Sequence, residues 1–267
     1  MTDKKSTYFI GYNISNDGQK GSMLSRLTNI YKKEGLVSLV KKLVGYTKHR
    51  IRYKMYRMEY NIYRLNYYLF NRFFNLDGRK FHYFINIYNA VKNERVIEIP
   101  FAKEFVFKNE DKSILEVGNV LSHYFNVNYD IIDKYEINPL VTNVDITDFS
   151  TEKKYDLIIS VSTIEHVGFD EEDKEGGKSK KALLKIIELL NNNGTAIITV
   201  PLGYNPEIDS IVMNNEINFT KKYFLKRVSI LNLWKETTMH EALKHKYGLK
   251  YPAANSVAFL IYKKSEK

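Results

Sequence analysis

Two acidic residues and one glycine stand where apolar runs end in the middle of the chain. Gly118 closes the run 114–117, Asp133 ends the run 130–133, and Asp145 follows the apolar stretch that begins at residue 140. Ligands of an open α/β sheet bind at the carboxyl ends of its strands. A glycine there lets the backbone approach a ligand, and a carboxylate suits two ribose hydroxyls or an exocyclic amine. These residues predict a nucleoside-binding edge.

Such an edge requires strands that are buried on both faces and that end side by side. From residue 113 onward, short apolar runs alternate with helical segments such as KKALLKIIELL at 180–190. This alternation is typical of an α/β protein with a doubly wound, mostly parallel sheet. The predicted strands, in chain order, are SILEVG, YDIIDKYE, LVTNVDITDF, KYDLIISVS, NGTAIITVP, RVSILNLW and NSVAFLIYKK.

The segment before the first of these strands, FHYFINIYNAVKNERVIEIP, is rich in aromatic and β-branched residues. We expect Pro100 to end this segment, because proline disrupts regular backbone hydrogen bonding. One or two helical turns are expected over residues 101–108.

The order and spacing of ILEVGN, YDIIDKYE, NVDITDF, KYDLIISVSTIEHVG and NNNGTAIITVPLGYNP resemble those of class I S-adenosylmethionine-dependent methyltransferases. Together with NERVIEIP, they are similar to a bacterial and archaeal subgroup that often accompanies cell-surface polysaccharide genes. The resemblance runs from about residue 93 to the C-terminus. It implies a Rossmann-like fold with a seven-stranded sheet in the order 3-2-1-4-5-7-6, strand 7 being antiparallel. It also implies S-adenosyl-L-methionine across the tips of strands 1 to 4.

The resemblance assigns cofactor-binding roles residue by residue. Asp133 takes the place of the ribose-binding acid, and Asp145 and Ile146 take the place of the pair that flanks the adenine. Arg95 stands where a basic residue meets the cofactor carboxylate. The other implied cofactor residues are Glu116, Gly118 and Asn119 in the first loop, and Ser160 and Ser162 under the methionine part.

The first loop departs from the family pattern. Asn119, Val120, Leu121 and Ser122 follow Gly118 where the family commonly has further glycines. The linker to the next strand is also too short for a full helix. The usual packing of a helix on the cofactor is therefore not expected, and a catalytically inactive relative that serves as a scaffold stays open.

His166 is the candidate catalytic base. A base is needed when the methyl acceptor is a hydroxyl, because its proton must leave, and imidazole titrates near neutral pH. His166 follows the fourth predicted strand, with Glu165 available to orient it, and a packing role is the alternative. Tyr204 and Asn205 are candidates for acceptor contact, with a simple turn as the alternative.

Positive charge is concentrated at the N-terminus. Residues 1–75 hold 15 Lys and Arg against 4 Asp and Glu, whereas the remainder holds 26 against 27. Apolar residues recur there at helical spacing, which predicts one or two amphipathic helices with a basic face. Three interpretations stay open: packing on the body with the charges in water, contact with an anionic membrane, and, less favoured, nucleic-acid binding. We divide the chain into a basic extension (1–75), a segment covering the cofactor site (76–110) and a methyltransferase core (111–267).

Composition excludes several classes of protein. The chain has 0 Cys, which excludes a disulfide scaffold, a zinc ribbon, an iron–sulfur site and a cysteine nucleophile. No apolar run approaches the ~18 residues of a membrane span, and the N-terminus does not resemble a signal peptide. We expect a cytoplasmic protein, with or without membrane association. The acidic run 170–173 predicts a solvated loop or lid, and no metal is expected because consecutive carboxylates converge poorly on one ion.

The sequence therefore predicts S-adenosylmethionine-dependent methyl transfer to a sugar hydroxyl of a surface glycan or its precursor. Methylation of RNA or of a small metabolite stays open as the alternative enzymatic function.

Overall fold

The computed structural model describes residues 23–172 and 174–266. The first 22 residues of the basic extension and Asp173 of the acidic run lie outside these ranges. The chain forms two compact units, one ending at Ile62 and the other beginning at Tyr63. The functional division at residues 75 and 110 remains a prediction.

Within the described residues, the first unit is most of α1 (Met23–Leu69), which confirms the predicted N-terminal helix. The helical backbone is interrupted at Gly35, whose φ is +81°. No helix of the described chain is both long enough and apolar enough to cross a membrane.

The part of the second unit that precedes its large sheet contains a β-hairpin and a helix. β1 (Phe73–Leu76) pairs antiparallel with β2 (Arg79–His82). The expectation for Pro100 was wrong, because α2 (Arg95–Phe107) runs through it. Proline cannot donate to the carbonyl four residues back, which here belongs to Val96. That carbonyl instead accepts a hydrogen bond from the Phe84 N–H at 2.9 Å, so the helix continues without a buried orphan acceptor.

A sheet of eight strands forms the body of the second unit. The strands are β3 (Ile114–Val117), β4 (Asp130–Asp133), β5 (Val141–Asn143), β6 (Tyr155–Val161), β7 (Leu190–Pro201), β8 (Lys221–Arg227), β9 (Trp234–Thr237) and β10 (Ser256–Lys263). Their spatial order is β5-β4-β3-β6-β7-β10-β8-β9. The helices in this part of the chain are α3 (Lys178–Leu189), α4 (Pro206–Met213) and α5 (Met239–Ala242).

The predicted α/β fold and strand order are confirmed. The neighbouring strands β5, β4, β3, β6 and β7 all run parallel to one another. β10 is antiparallel to both of its neighbours, β7 and β8. The predicted number of seven strands was wrong, because β9 adds an eighth at the edge.

The expectation of one strand over residues 227–234 was also wrong. Arg227 ends β8 and Trp234 begins β9, so the residues between them form a hairpin loop. Arg227 is 3% exposed, and its guanidinium donates to the carbonyls of Lys92 and Pro252, each at 2.8 Å. The same guanidinium donates to Ile230 O at 3.2 Å inside the loop. A buried guanidinium must find such acceptors, and gathering them bends the chain away from the sheet.

The linker between β3 and β4 is short, as predicted. It holds a single 3-10 turn, Leu121–His123, where a full helix would otherwise cross over. The carboxyl ends of β3, β4 and β6 therefore carry loops that contact one another directly.

Candidate active site

The first loop is built around Glu116, which is fully buried. Its carboxylate accepts the backbone N–H groups of Val120 and Leu121 at 2.9 and 2.7 Å and the Tyr129 hydroxyl at 3.0 Å. Burial raises the pKa of Glu116 to about 7, although these hydrogen bonds oppose the rise. Glu116 thus closes the tight turn that replaces a helix.

Gly118 is the residue that lets the loops after β3 and β6 approach each other. Its φ is +85°, and a Cβ there would overlap the side chain of Thr163. Only glycine adopts such a φ without strain. Ser160 ties the same two strands together, because its buried hydroxyl donates to Val117 O at 3.0 Å.

Asp133 joins the first loop to the turn after β4. One carboxylate oxygen accepts the Asn119 N–H at 3.1 Å, and the other accepts the Tyr135 and Glu136 N–H groups at 2.8 and 2.9 Å. The Asn119 amide also donates to Glu136 Oε1 at 2.7 Å. The two sequence-predicted residues Asn119 and Asp133 are therefore in direct contact.

Asp145 lies in an ion-pair network that holds the acidic loop in place. The ammonium groups of Lys134 and Lys178 lie 3.0 and 2.9 Å from Asp145 Oδ2. The same two ammonium groups lie 2.9 and 2.7 Å from Glu171 Oε2. Burial opposes ionisation of Asp145, but the Thr147 N–H and the two lysines hold its pKa well below its usual range. Glu171 belongs to the predicted solvated loop, so the two lysines hold this loop at Glu171. The neighbouring Ile146 is buried in the hydrophobic core.

Arg95 lies at the tip of β6, where sequence analysis expects a basic residue. It donates to the carbonyls of Val161 at 2.8 Å and Ser162 at 3.5 Å. Its guanidinium lies 3.6 Å from Glu98 Oε2, and Glu98 Oε1 accepts the Ser162 hydroxyl at 2.6 Å. Burial raises the pKa of Glu98, and Arg95 opposes that rise. Ser162 has a φ of +40°, which turns the chain sharply after the strand.

His166 lies in a polar group that faces solvent, with 45% of its side chain exposed. Its Nδ1 hydrogen-bonds to Asp170 Oδ2, which also accepts the Tyr204 hydroxyl at 2.5 Å. Glu165, the residue that sequence analysis offered as its orienting partner, is farther away, with Oε1 3.6 Å from His166 Nε2. The His166 and Tyr204 rings meet edge to face at 5.1 Å.

Asn205 has a different position from its predicted neighbour Tyr204. It is 1% exposed, caps α4 by accepting the Glu207 N–H at 2.9 Å, and donates to Glu165 O at 2.8 Å. This burial argues against direct contact with an acceptor and instead supports a role in positioning the loop of Glu165.

Three residues that complete these groups were not predicted as site residues from the sequence. Asp170 orients His166, and the four-residue spacing of the pair was the available signal. Glu98 was detectable as a lone acid within the apolar run VIEIP. The loop before β10 places the ring of Tyr247 with its centroid 4.9 Å from that of Tyr204, and no local sequence pattern indicated this contact.

No group of three or more acidic or histidine side chains in residues 23–172 and 174–266 is arranged to hold a metal ion.

The sequence matches no family model and no curated protein. Among solved structures it is similar to the N-methyltransferase NodS of Bradyrhizobium japonicum WM9 in complex with S-adenosyl-L-homocysteine, with a TM-score of 0.38 and 13% identity over 65% of this chain and 92% of that one. A 1,6-didemethyltoxoflavin-N1-methyltransferase of Burkholderia thailandensis gives a TM-score of 0.40 and 10% identity over 64% and 79% of the two chains. TehB of Haemophilus influenzae gives a TM-score of 0.38 and 13% identity over 62% of each of the two chains. Similarities at this level do not assign an activity to this chain.

Proposed function

We propose that this protein is an S-adenosylmethionine-dependent methyltransferase. The observation that carries the proposal is the shared edge at the carboxyl ends of β3, β4, β5 and β6, along which Gly118, Asp133, Asp145 and Ser162 lie. Ligands of open α/β sheets bind at such an edge. The antiparallel β10 beside β7 completes the strand order that the sequence resemblance implies.

The residues along this edge fit the parts of the proposed cofactor. Asp133 would hold the ribose hydroxyls, Asp145 the adenine amine, and Arg95 the carboxylate. Orphaned buried polar atoms also lie at the tip of β6, on Glu98 and Glu165. When bound, the cofactor supplies a methyl group on a positively charged sulfur.

We propose that the acceptor is a hydroxyl group. An acceptor hydroxyl must lose its proton as the carbon–oxygen bond forms and the carbon–sulfur bond breaks. The hydrogen bond between His166 Nδ1 and Asp170 orients the imidazole, which would take this proton. Asp170 stabilises the resulting imidazolium charge.

Within this class, a sugar of a surface glycan or its precursor remains our proposed acceptor. The exposed surface of His166 and the Tyr204 hydroxyl would face a polar substrate, since both carry hydrogen-bonding groups. Methylation of a small metabolite is the alternative, and the same base would serve it.

We further propose that the helical extension contacts an anionic membrane surface. After Gly35, seven apolar side chains lie in one stripe of α1, and each is 48 to 70% exposed. They are Val37, Val40, Val44, Ile51, Met55, Met58 and Ile62. At 100° per residue they occupy a sector of about 60°. Lys41 and Lys48 border one side of this sector, and Arg50 and Lys54 border the other. An apolar stripe between basic edges suits the interface of an anionic bilayer.

Two measurements test the enzymatic proposal. Calorimetric titration with S-adenosyl-L-homocysteine should show binding to the wild-type protein, and absence of binding at millimolar ligand would instead favour a scaffold. Incubation with a labelled methyl donor and fractions of a cell extract should label a carbohydrate fraction. Label in the RNA fraction would contradict the glycan acceptor.

A further inference from the structure

Three carboxyl groups are buried together at the tip of β6. Glu94, Glu98 and Glu165, which we call the carboxyl cluster, are 7%, 0% and 1% exposed. Their charges interact with one another and with Arg95, whose side chain is 15% exposed. The cluster therefore combines up to three negative charges with one positive charge in a low-dielectric setting.

The members of the carboxyl cluster differ in their hydrogen bonds. Glu94 accepts the Ala254 N–H at 3.1 Å, and Glu98 accepts the Ser162 hydroxyl. No other residue of the described chain donates a hydrogen bond to either oxygen of Glu165, although its own backbone N–H lies near enough to lower its pKa. Glu98 Oε2 has no hydrogen bond of normal geometry either, although Arg95 lies 3.6 Å away and the Thr199 hydroxyl lies close to this carboxyl group. Buried polar atoms are nearly always satisfied, so these oxygens indicate a place for donor groups.

The chemistry of the cluster restricts what those donors are. Carboxylate oxygens accept but do not donate when ionised, so the missing group carries N–H or O–H bonds. Excess negative charge favours a cation, and a primary ammonium offers three donors on one compact charge. Arg95 stands beside the cluster and is complementary to a carboxylate. An ammonium and a carboxylate on neighbouring atoms define the end of an α-amino acid.

We propose that Glu165 binds the α-ammonium group of the cofactor's amino-acid end, beside Arg95, which faces its carboxylate. This inference rests on the proposed function, because the proposed cofactor carries that amino-acid end. The charge of Glu98 interacts with that of Glu165, so Glu98 would share the ammonium charge. Glu165 is here a ligand-binding residue and takes no proton from the acceptor.

Protonation gives the proposal a second readout. Burial raises the pKa of Glu165 well above its usual range. The charges of Glu98 and Glu94 add to this rise, whereas its own backbone N–H and Arg95 oppose it. Binding of an ammonium favours the ionised carboxylate, so affinity increases as pH rises toward that pKa. The other groups that face the Glu165 charge are the adjoining His166 and the hydroxyls of Tyr204 and Tyr247.

The test compares two ligands that differ only in the amino-acid end. S-adenosyl-L-homocysteine carries it, and 5′-methylthioadenosine lacks it. In calorimetric titrations, Glu165→Gln should weaken S-adenosyl-L-homocysteine binding by roughly 10- to 100-fold, the range for a buried charge-assisted hydrogen bond. Binding of 5′-methylthioadenosine should change by less than about 2-fold. Glu188→Gln, at an exposed acid paired with Lys185, is the matched control and should change neither.

The wild-type protein provides an independent measurement that needs no variant. Between pH 6 and 8 its affinity for S-adenosyl-L-homocysteine should rise more than its affinity for 5′-methylthioadenosine. Equal losses of both ligands in Glu165→Gln, or equal pH profiles, would overturn the role of Glu165 and leave the proposed function standing. If neither ligand binds the wild-type protein, the proposed function and this inference both fail.

Discussion

Asp133 accepts hydrogen bonds from three backbone N–H groups, those of Asn119, Tyr135 and Glu136. Its carboxylate thus fixes the loop after β3 against the turn after β4. A ligand that donates a hydrogen bond to this carboxylate would find the acceptor oxygen already in position. Such prior ordering reduces the entropic cost of binding.

We expect Asp133→Ala to weaken S-adenosyl-L-homocysteine binding by about 1–3 kcal/mol, because charge-assisted hydrogen bonds to the ribose are lost. Thermal unfolding measured in parallel will report the separate loss of the loop contacts. Asp133→Asn keeps one acceptor oxygen and should lie between the wild type and the alanine variant in both measurements. Unchanged affinity in Asp133→Ala would refute the ribose role.

The contact of His166 with Asp170 makes a prediction about turnover. His166→Ala should lower turnover by about 100-fold or more with cofactor affinity retained, since general-base catalysis is worth that much. Asp170→Asn should cause a smaller loss, roughly 10-fold, because the imidazole remains but its imidazolium form is less stabilised. Steady-state rates and calorimetry on the same preparations check both. Near-normal turnover in His166→Ala would leave it a packing residue.

Burial of Glu116 predicts how stability depends on pH. Its pKa is raised from 4.5 to about 7 on folding, so the native state binds the proton more tightly than the unfolded state. The stabilisation from this group is complete below pH 4.5 and is lost as pH rises through 7, by at most ~1.4 kcal/mol per pH unit. Glu116→Gln should flatten this decline in urea unfolding between pH 5 and 8. If the free energy of unfolding falls with pH as steeply in Glu116→Gln as in the wild type, the role of Glu116 is contradicted. Glu188→Gln, which changes an exposed acid, is the control.

At the scale of elements, one ion-pair network joins three segments that are distant in the sequence. Lys134 follows β4, Asp145 follows β5, and Lys178 begins α3. The two lysines contact both Asp145 and Glu171, so they join these segments to the loop that carries Glu171. The side chains of Asp145, Glu171 and Lys178 are only 7 to 13% exposed, which protects these ion pairs from solvent screening. The loop is therefore held against the edge where the adenine is proposed to bind.

Releasing this loop should be measurable by hydrogen exchange. Glu171→Gln leaves the two lysines with Asp145 alone, so amides of residues 168–172 and 174–177 should exchange about 5- to 10-fold faster. Glu175→Gln is the control, because Glu175 lies on the same loop in a more exposed ion pair with Lys181, and it should change the exchange rates little. Equal protection in both variants would show that the network does not hold the loop.

At the scale of the whole molecule, charge divides the chain into a basic extension and a nearly neutral remainder. Between residues 37 and 62 there are seven Lys and Arg and one Glu. Juxtamembrane basic residues gain about 1 kcal/mol each near an anionic surface. A second copy of the chain would carry the same excess of positive charge, which opposes pairing of two such helices.

The apolar stripe of α1 should be necessary for membrane binding. Met55→Glu combined with Met58→Glu should lower co-sedimentation with phosphatidylglycerol vesicles by at least about 5-fold, because both apolar area and net charge are lost. Leu249→Glu, at a residue that is 77% exposed outside the stripe, is the control. Wild-type protein that binds phosphatidylcholine vesicles equally well, or that dimerises without binding vesicles, would contradict the anionic-membrane proposal.

Local sequence was sufficient where one periodicity dominated. Strands β3, β4, β6 and β7 are apolar runs buried on both faces, and each was predicted within a few residues of its position. Local sequence gave the wrong element at Pro100 and at residues 228–233, because the backbone conformation there depends on hydrogen-bond partners that are distant in the sequence. Phe84 satisfies the carbonyl that Pro100 leaves free, and Arg227 gathers carbonyls from Lys92 and Pro252. A pattern read along the chain carries no information about such partners.

The amino-acid sequence by itself determined the α/β sheet, its strand order through the family resemblance, and the basic N-terminal helix. Only the tertiary structure decided which side chains share a site. Asp170 rather than Glu165 meets His166 Nδ1, two lysines neutralise Asp145, and Glu165 turns inward to Arg95 and Glu98. The reason is that periodicity reports which face of an element is buried, whereas charge pairing depends on loops that converge from separate parts of the chain.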